Sequence, residues 1–221
     1  MNKLKTILTA ALLSFASFTW MSSASAVSIS AFGVGIGESA FMGSGKETET
    51  GSGADTTTAT ITEEDGAFTD QVTAVFIEIS AADNVSVGLE YWPADLATPE
   101  NTNVQGASTN TVKASFENHI QVYGLVGLPF GFYAKAGIAR VDILTEESLA
   151  TGGAYNDEDT MGYTLGLGYQ KDLDNDIFVR AEVSAFQYDD VSAGNTADTT
   201  KQVEVTDMYG ATATIRFGKS F

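Results

Sequence analysis

Residues 209–221 read YGATATIRFGKSF and alternate between two kinds of side chain. The odd positions, which begin at Tyr209 and end at Phe221, are mainly apolar, whereas the even positions are small or polar. A period of two is typical of a β-strand. Aromatic residues stand near both ends of the apolar face, and the residues between them are small or aliphatic. Lipid-facing strands show this distribution, so we predict that 203–221 closes a transmembrane β-barrel.

The first 26 residues have the features of a secretory signal peptide. Lys3 and Lys5 form a positive region, 7–20 is largely apolar, and Ala24-Ser25-Ala26 matches an A-x-A cleavage site. An anchoring transmembrane helix is the alternative, but the apolar run is short and contains Ser and Thr. We expect removal of 1–26 and export of 27–221 as one domain.

The charge balance excludes several classes of partner. Lys3 and Lys5 are the charged residues of the signal peptide, so the 11 basic residues fall to 9 after cleavage, against 29 acidic residues. This excess of negative charge disfavours nucleic acid and anionic lipid surfaces as electrostatic partners. Cysteine is absent, so neither disulfides nor thiol chemistry are expected.

Alternating segments recur along the chain and predict eight strands. Their connections alternate between long and short, and the long ones contain most of the acidic residues. Outer-membrane barrels have such long extracellular loops and short periplasmic turns. A soluble sandwich or a lipocalin-like barrel is the alternative fold, and the signal peptide and the loop asymmetry disfavour it. The four predicted loops are 38–70, 93–108, 142–160 and 187–201.

Three stretches resemble parts of the OmpA/OmpX-type outer-membrane barrels. Residues 162–182, with the turn Asp172-Leu173-Asp174-Asn175-Asp176, resemble the hairpin of their sixth and seventh strands. Residues 132–140 resemble their fifth strand, and Ile215-Arg216-Phe217 with Phe221 resembles their ending. Two departures stand out: four residues follow the Arg-Phe pair, and we expect no peptidoglycan-binding domain. The peptidoglycan-binding activity of OmpA is therefore not expected here.

The resemblance implies an all-β, eight-stranded antiparallel barrel in the bacterial outer membrane. It also implies contact with outer-membrane lipid and lipopolysaccharide, and a monomeric state. The barrel-assembly machinery would recognise the last strand through a C-terminal signal of Tyr209, Ile215, Phe217 and Phe221.

Charged residues on the inward parity predict a lumenal polar network. An eight-stranded barrel has room only for its own side chains, and charges buried there are costly unless they pair. We expect Lys135, Arg180 and Arg216 to bridge the carboxylates and plug the lumen. A gated, narrow polar path is the functional alternative. The predicted network contains Glu78, Glu90, Glu117, Lys113, Lys135, Arg180, Glu182 and Arg216.

Neither catalysis nor metal binding is indicated by the sequence. His119 is the single histidine, and no neighbouring nucleophile motif supports a lipid A-modifying enzyme. An omptin-like protease is disfavoured because eight strands are too few for that family. Asp172 begins a turn that starts like an EF-hand loop, but Ile177 and Val183 stand where that loop needs Gly and Glu. We therefore predict no enzymatic activity, no cofactor and no metal site.

Function is predicted at a coarse level. A rigid barrel with acidic extracellular loops suits a structural or surface-interaction role, although no loop motif names a partner. An OmpW-like conduit for small apolar molecules is the alternative from another class. It requires an apolar lumen, and the charged inward residues argue against it.

Overall fold

The computed structural model describes residues 28–51, 59–105, 108–149 and 153–221. The predicted signal peptide lies outside these residues. The described chain is all-β, with two short 3₁₀ turns at Pro129–Gly131 and Asp174–Asp176. The strands are β1 (Ile29–Thr50), β2 (Ala59–Ala82), β3 (Val85–Tyr91), β4 (Leu96–Ala97), β5 (Asn101–Gln105), β6 (Ser108–Gly127), β7 (Phe132–Ser148), β8 (Glu158–Asp172), β9 (Ile177–Tyr188), β10 (Val191–Gly194) and β11 (Lys201–Ser220).

Eight of these strands close into an antiparallel barrel. Their order is β1, β2, β3, β6, β7, β8, β9 and β11, and β11 pairs back onto β1. The short strands β4 and β5 pair with β6, and β10 pairs with β11. The predicted fold class is therefore confirmed, including its eight barrel strands.

The strand pairing is staggered around the barrel. A path perpendicular to the strands leaves β1 at Phe32 and returns to β1 at Met42, so the stagger is ten residues. Tilted strands and a stagger of this kind are what closure of eight strands requires. The path crosses Ile77, Leu89, Val122, Ile138, Tyr163, Gln187 and Tyr209.

The outer surface of the barrel carries an apolar belt. Leu165 and Leu167 on β8 are 68% and 61% exposed, and the inward residues between and beside them are buried or half-buried. An exposed band of this size is the surface expected to face lipid. Phe32 and Phe221 stack at one edge of the belt, with 5.6 Å between their ring centroids. No helix among the described residues is long and apolar enough to cross a membrane.

Several strands continue well beyond their predicted ends. β1 reaches Thr50 and β2 begins at Ala59, within the predicted loop 38–70, and β7 reaches Ser148 within the predicted loop 142–160. Outside the apolar belt the outward face of a strand meets water instead of lipid, so the alternation of apolar and polar residues fades. Backbone pairing persists there, because unpaired amide and carbonyl groups are costly in any segment that is not fully solvated.

A bulge in β6 changes the predicted facing of its outer half. The β6–β7 register shifts between Glu117 and Ile120, and Asn118 has a positive φ of 53°. Since successive side chains alternate, one extra residue reverses the facing of the residues before the bulge relative to those after it. Phe116 has the same parity as the outward-facing Val126 and would without a bulge face lipid, but it lies within the barrel and stacks with Phe68, with 5.5 Å between the ring centroids.

Glycine allows the closest approach between strands at the periplasmic end. A Cβ added to Gly33 would lie 2.2 Å from the Phe217 carbonyl oxygen and 2.6 Å from Phe76 Cζ. We expect Gly33→Ala to lower the free energy of unfolding by about 1–3 kcal/mol through overpacking. Gly66→Ala is the matched control, because an added Cβ there meets nothing within 4 Å. Urea unfolding in lipid vesicles measures the free energy of unfolding of both variants. Equal values for Gly33→Ala and Gly66→Ala would contradict the close packing at Gly33.

Candidate functional site

A buried ion-pair cluster fills the middle of the lumen. Arg180 donates to both oxygens of Glu78, from Nη1 to Oε1 at 2.6 Å and from Nη2 to Oε2 at 2.9 Å. Arg216 Nη1 donates to Glu90 Oε2 at 2.5 Å, and its Nη2 donates to Glu182 Oε1 at 2.7 Å. Two-pronged guanidinium–carboxylate contacts of this kind are among the strong, directional pairs in proteins.

Lys135 completes the cluster by joining two carboxylates. Its Nζ donates to Glu182 Oε1 at 2.8 Å and to Glu90 Oε2 at 3.2 Å. Tyr123 and Tyr133 add hydrogen bonds to Glu78 and Glu182 at 2.8 and 2.9 Å. The cluster thus balances three cations against three anions, all at most 5% exposed. A balanced, fully bonded arrangement is the one that offsets the desolvation of buried charges.

Aromatic side chains close the lumen on the periplasmic side of the ion-pair cluster. Phe76 and Phe178 pack together with Ala31, and their ring centroids are 6.3 Å apart. The Arg180 guanidinium lies 4.5 Å from the centre of the Phe178 ring. Charges and aromatic rings therefore form one continuous obstruction across the lower half of the barrel.

Two residues predicted for the lumenal network lie elsewhere. Lys113 pairs with Glu146 at 3.7 Å, and both side chains are partly exposed. Glu117 lies opposite Asp142 in the β6–β7 register, among acidic neighbours. Both precede the β6 bulge, so their inward parity was wrong for the same reason as that of Phe116. The structure brings together the other six: Glu78, Glu90, Lys135, Arg180, Glu182 and Arg216.

An apolar cavity of about 1100 Å³ occupies the outer half of the barrel. Its apolar wall comes from both the barrel strands and their extensions beyond the belt. The predicted objection to an apolar lumen therefore applies mainly to the lower half, because the charged residues of the cavity wall, such as Glu47 and Glu64, lie on the strand extensions at its outer end. The apolar side chains lining the cavity include Phe41, Phe68, Trp92, Leu96, Phe116, Val141, Ile143, Tyr188, Val191, Val205 and Met208.

Four aromatic rings pack together at the inner end of the cavity, and we call them the aromatic floor. Trp92, His119 and Tyr188 line the cavity, and Phe186 packs against them. Trp92 stacks on His119 with 3.7 Å between ring centroids, and Phe186 stacks on Tyr188 at 6.1 Å. His119 Nε2 lies 3.0 Å from the Tyr188 hydroxyl. Trp92 Nε1 donates to Glu90 Oε1 at 2.8 Å, so the aromatic floor rests directly on the ion-pair cluster.

A tyrosine ties the outer rim of the cavity together. The Tyr155 hydroxyl donates to Glu47 Oε2 at 3.0 Å and links the β7–β8 connection to β1. Burial and the Glu47 carboxylate raise the pKa of Tyr155 to about 12, so the phenol keeps its proton in neutral water. Tyr155 also forms an isolated bridge with Asn195. The rim is thus held by contacts between several outer segments.

The barrel wall beside the cavity is interrupted. β3 ends at Tyr91, opposite Val75 of β2, and the next strand, β4, pairs with β6. Among the described residues, the part of β2 before Val75 pairs with β1 on one side and with no strand on the other. The Ala97 amide donates to Asp70 Oδ2 at 3.2 Å across this interruption.

The turn that begins like an EF-hand loop has a different structure. Asp174–Asp176 forms a 3₁₀ turn, and Asp172 Oδ1 accepts a hydrogen bond from Gln170 Nε2 at 2.6 Å. Within the described ranges, no group of three or more His, Asp or Glu side chains is arranged to hold a metal ion.

Comparison with known proteins identifies the fold. No protein-family model matches the chain, and no curated protein matches its sequence. The outer-membrane protein OprG of Pseudomonas aeruginosa is similar in structure, with a TM-score of 0.55 at 15% identity over 87% of this chain and 97% of OprG. The fold is therefore that of a bacterial outer-membrane β-barrel, and the apolar belt agrees with the predicted localisation in that membrane.

Two further solved structures are more distant. The outer-membrane protease OmpT of Escherichia coli has a TM-score of 0.48 at 10% identity, over 90% of this chain and all of OmpT. Ail of Yersinia pestis has a TM-score of 0.35 at 10% identity, over 85% of this chain and 98% of Ail. At these scores neither protein informs the function of this chain.

The sequence interpretation missed the cavity, although a signal for it was present. The inward-facing residues of β7 begin with Tyr133 and continue at every second position through Ala139 to Val141 and Ile143. These two apolar residues fall at the junction with a predicted loop, and apolar inward residues at the end of a barrel strand indicate an apolar inner surface in that part of the lumen.

Proposed function

We propose that this outer-membrane β-barrel binds small apolar molecules in the cavity of its outer half. The single observation that carries the proposal is the division of the lumen into an apolar cavity and a sealed ion-pair cluster. Pockets for small molecules have volumes of about 300–1,000 Å³, close to that of this cavity, and are lined mainly by apolar and aromatic side chains. A lumen with a purely structural role would instead be packed with side chains along its whole length.

The route of a bound molecule follows from the same geometry. The ion-pair cluster and the rings of Phe76 and Phe178 obstruct direct passage to the periplasm. Phe68 on β2 and Leu96 on β4 line the cavity, and the interrupted wall lies between these two strands. Apolar molecules favour hydrocarbon over water, so we propose that they leave the cavity sideways into the bilayer.

Trp92 offers a direct measurement of binding. It is the only tryptophan beyond the predicted signal peptide, and it belongs to the aromatic floor. We expect nonane to change Trp92 fluorescence in protein-loaded lipid nanodiscs, after correction for partitioning into empty nanodiscs. Val141→Phe adds volume inside the cavity, and we expect it to weaken binding about tenfold, as overpacking of roughly 1–3 kcal/mol implies.

Val183→Phe is the matched control for this experiment. Val183 is 59% exposed on the lipid face, so the same change of side chain there leaves the cavity as it is. We expect Val183→Phe to bind nonane as the unchanged protein does. Fluorescence that does not respond to nonane, or equal loss of binding in both variants, would refute the proposal.

A surface-interaction role through the acidic loops is the second candidate. It is supported by the outer strand extensions, where β1 and β11 stay paired as far as Glu49 and Lys201, well beyond the apolar belt. The hairpin of β1 and β2 displays Glu63 and Glu64, both exposed. Glu64 lines the cavity, so the test replaces Glu63 and the likewise exposed Glu100 by glutamine; this should reduce attachment of cells to a cationic surface and leave nonane binding unchanged. Unchanged attachment would count against this second role.

A further inference from the structure

A polar pair spans the lumen at the inner end of the cavity. His119 lies on β6 and Tyr188 on β9, and β7 and β8 stand between these strands in the sheet. In a barrel of eight strands, inward side chains on two strands that are separated by two others approach each other across the interior and not along the wall. Their contact of 3.0 Å therefore places the Tyr188 hydroxyl over the lumen, within the aromatic floor of the cavity.

The hydrogen-bond roles within this pair follow from the surroundings of His119. Its Nδ1 is buried and has no hydrogen-bond partner among the described residues. A neutral imidazole carries its proton on one nitrogen and a lone pair on the other. Leaving a buried N–H without an acceptor is the rarer arrangement in proteins, so the proton belongs on Nε2 and is donated to the Tyr188 oxygen.

This assignment leaves the Tyr188 hydroxyl with a proton to donate. Its oxygen accepts the hydrogen bond from His119, and the part of the chain that the structure describes offers the phenol no second partner. A buried hydroxyl proton without an acceptor is costly, and buried tyrosine hydroxyls usually find a partner.

We infer that the Tyr188 hydroxyl donates a hydrogen bond to an acceptor oxygen on the bound molecule. The cavity would then favour apolar molecules that carry one ether, carbonyl or hydroxyl oxygen over pure hydrocarbons of the same length. His119 acts as a positioning residue, because it orients the phenol without touching the ligand's oxygen. This inference rests on the proposed function and specifies the class of ligand that the cavity takes.

The experiment compares two probes that differ in one group. Heptyl methyl ether and nonane have the same chain length, and the ether adds an acceptor but no donor. Trp92 fluorescence in nanodiscs gives the affinity for each probe, corrected for partitioning into empty nanodiscs. We expect the corrected affinity of the ether to exceed that of nonane by about fivefold, the usual effect of one neutral hydrogen bond.

Four variants separate the role of Tyr188 from general packing. Tyr188→Phe should abolish the preference for the ether. Tyr163→Phe removes a phenol from the lipid face and should keep the preference. His119→Leu should reduce the preference, and His119→Gln, which retains an N–H donor, should restore part of it. A merely structural role of His119 would move both probes together and leave their ratio unchanged.

The possible failures are distinguishable. If nonane and the ether bind equally well, and Tyr188→Phe leaves the ratio of their affinities unchanged, the inference is overturned and the proposed function stands. A preference for the ether that survives Tyr188→Phe would also overturn it. If neither probe changes Trp92 fluorescence, the proposed function fails and the inference fails with it.

Discussion

Glu90→Ala should lower the free energy of unfolding by about 3–5 kcal/mol, the usual cost of breaking a buried ion pair. The Glu90 carboxylate accepts hydrogen bonds from Arg216, Lys135 and Trp92, and it is 1% exposed. Its removal leaves two buried cations that share the remaining carboxylates. Urea-induced unfolding in lipid vesicles, followed by the gel mobility of folded and unfolded barrels, measures the difference.

The matched control is a pair at the surface. Glu146→Ala breaks the contact with Lys113. The Glu146 side chain is 60% exposed and the Lys113 side chain 34% exposed. Such pairs contribute only about 0–1 kcal/mol, so this variant should be close to the unchanged protein. Planar-bilayer conductance completes the test. A large gain of conductance in Glu90→Ala without loss of stability would support a gated polar path instead of a plug.

Leu165→Lys should lower the free energy of unfolding by about 2–4 kcal/mol, the cost of a lysine near the middle of the lipid-facing band of a barrel. Leu165 is among the most exposed apolar residues of β8, and it lies between Tyr163 and Leu167 on the same face. In water an exposed leucine changed to lysine costs little, so the expected loss depends on lipid as the surrounding solvent.

Ile61→Lys provides the comparison for the lipid face. Ile61 is 54% exposed on β2, but it lies opposite Thr48 in the outer extension of the strands, beyond the apolar belt. We expect a change of less than about 0.5 kcal/mol there, as for ordinary surface substitutions. Equal effects of Leu165→Lys and Ile61→Lys would show that the belt is not a lipid-facing surface.

The fold was predictable because each barrel strand carries its own alternation. In β2, for example, Val75 and Ile77 face outward while Phe76 and Glu78 are buried, as their parity predicts. The same parity brought Glu78, Glu90 and Glu182 to one side of the wall, together with three cations. Pairing among six charges then follows from the narrow lumen, since no other arrangement there avoids a large desolvation cost.

The outer half of the barrel was not predictable by this reasoning. Asn118 adopts a left-handed conformation within β6, and a single asparagine in a long strand gives no sign of a bulge. Phe41 and Phe68 lie in the segment predicted as a polar loop, where two isolated aromatics carry no period. Their clustering with Phe116 brings side chains of β1, β2 and β6 together in the barrel interior, and local sequence does not show such contacts.

The division of the lumen also explains why the two functional predictions conflicted. A list of inward charges says nothing about their height in the barrel, and the six that pair are confined to the middle of the lumen. The apolar residues above them come from the ends of strands and from their extensions. A structural plug and an apolar binding cavity are therefore parts of the same molecule.

Cysteine labelling tests this division most directly, because the chain has no cysteine of its own. Met208 lines the cavity, whereas Ala31 packs with Phe76 and Phe178 below the ion-pair cluster. A small, membrane-impermeant thiol reagent added outside intact cells should modify Met208→Cys and leave Ala31→Cys unmodified. Modification of Ala31→Cys as fast as Met208→Cys, or protection of Met208→Cys, would contradict an outward-facing cavity sealed from below.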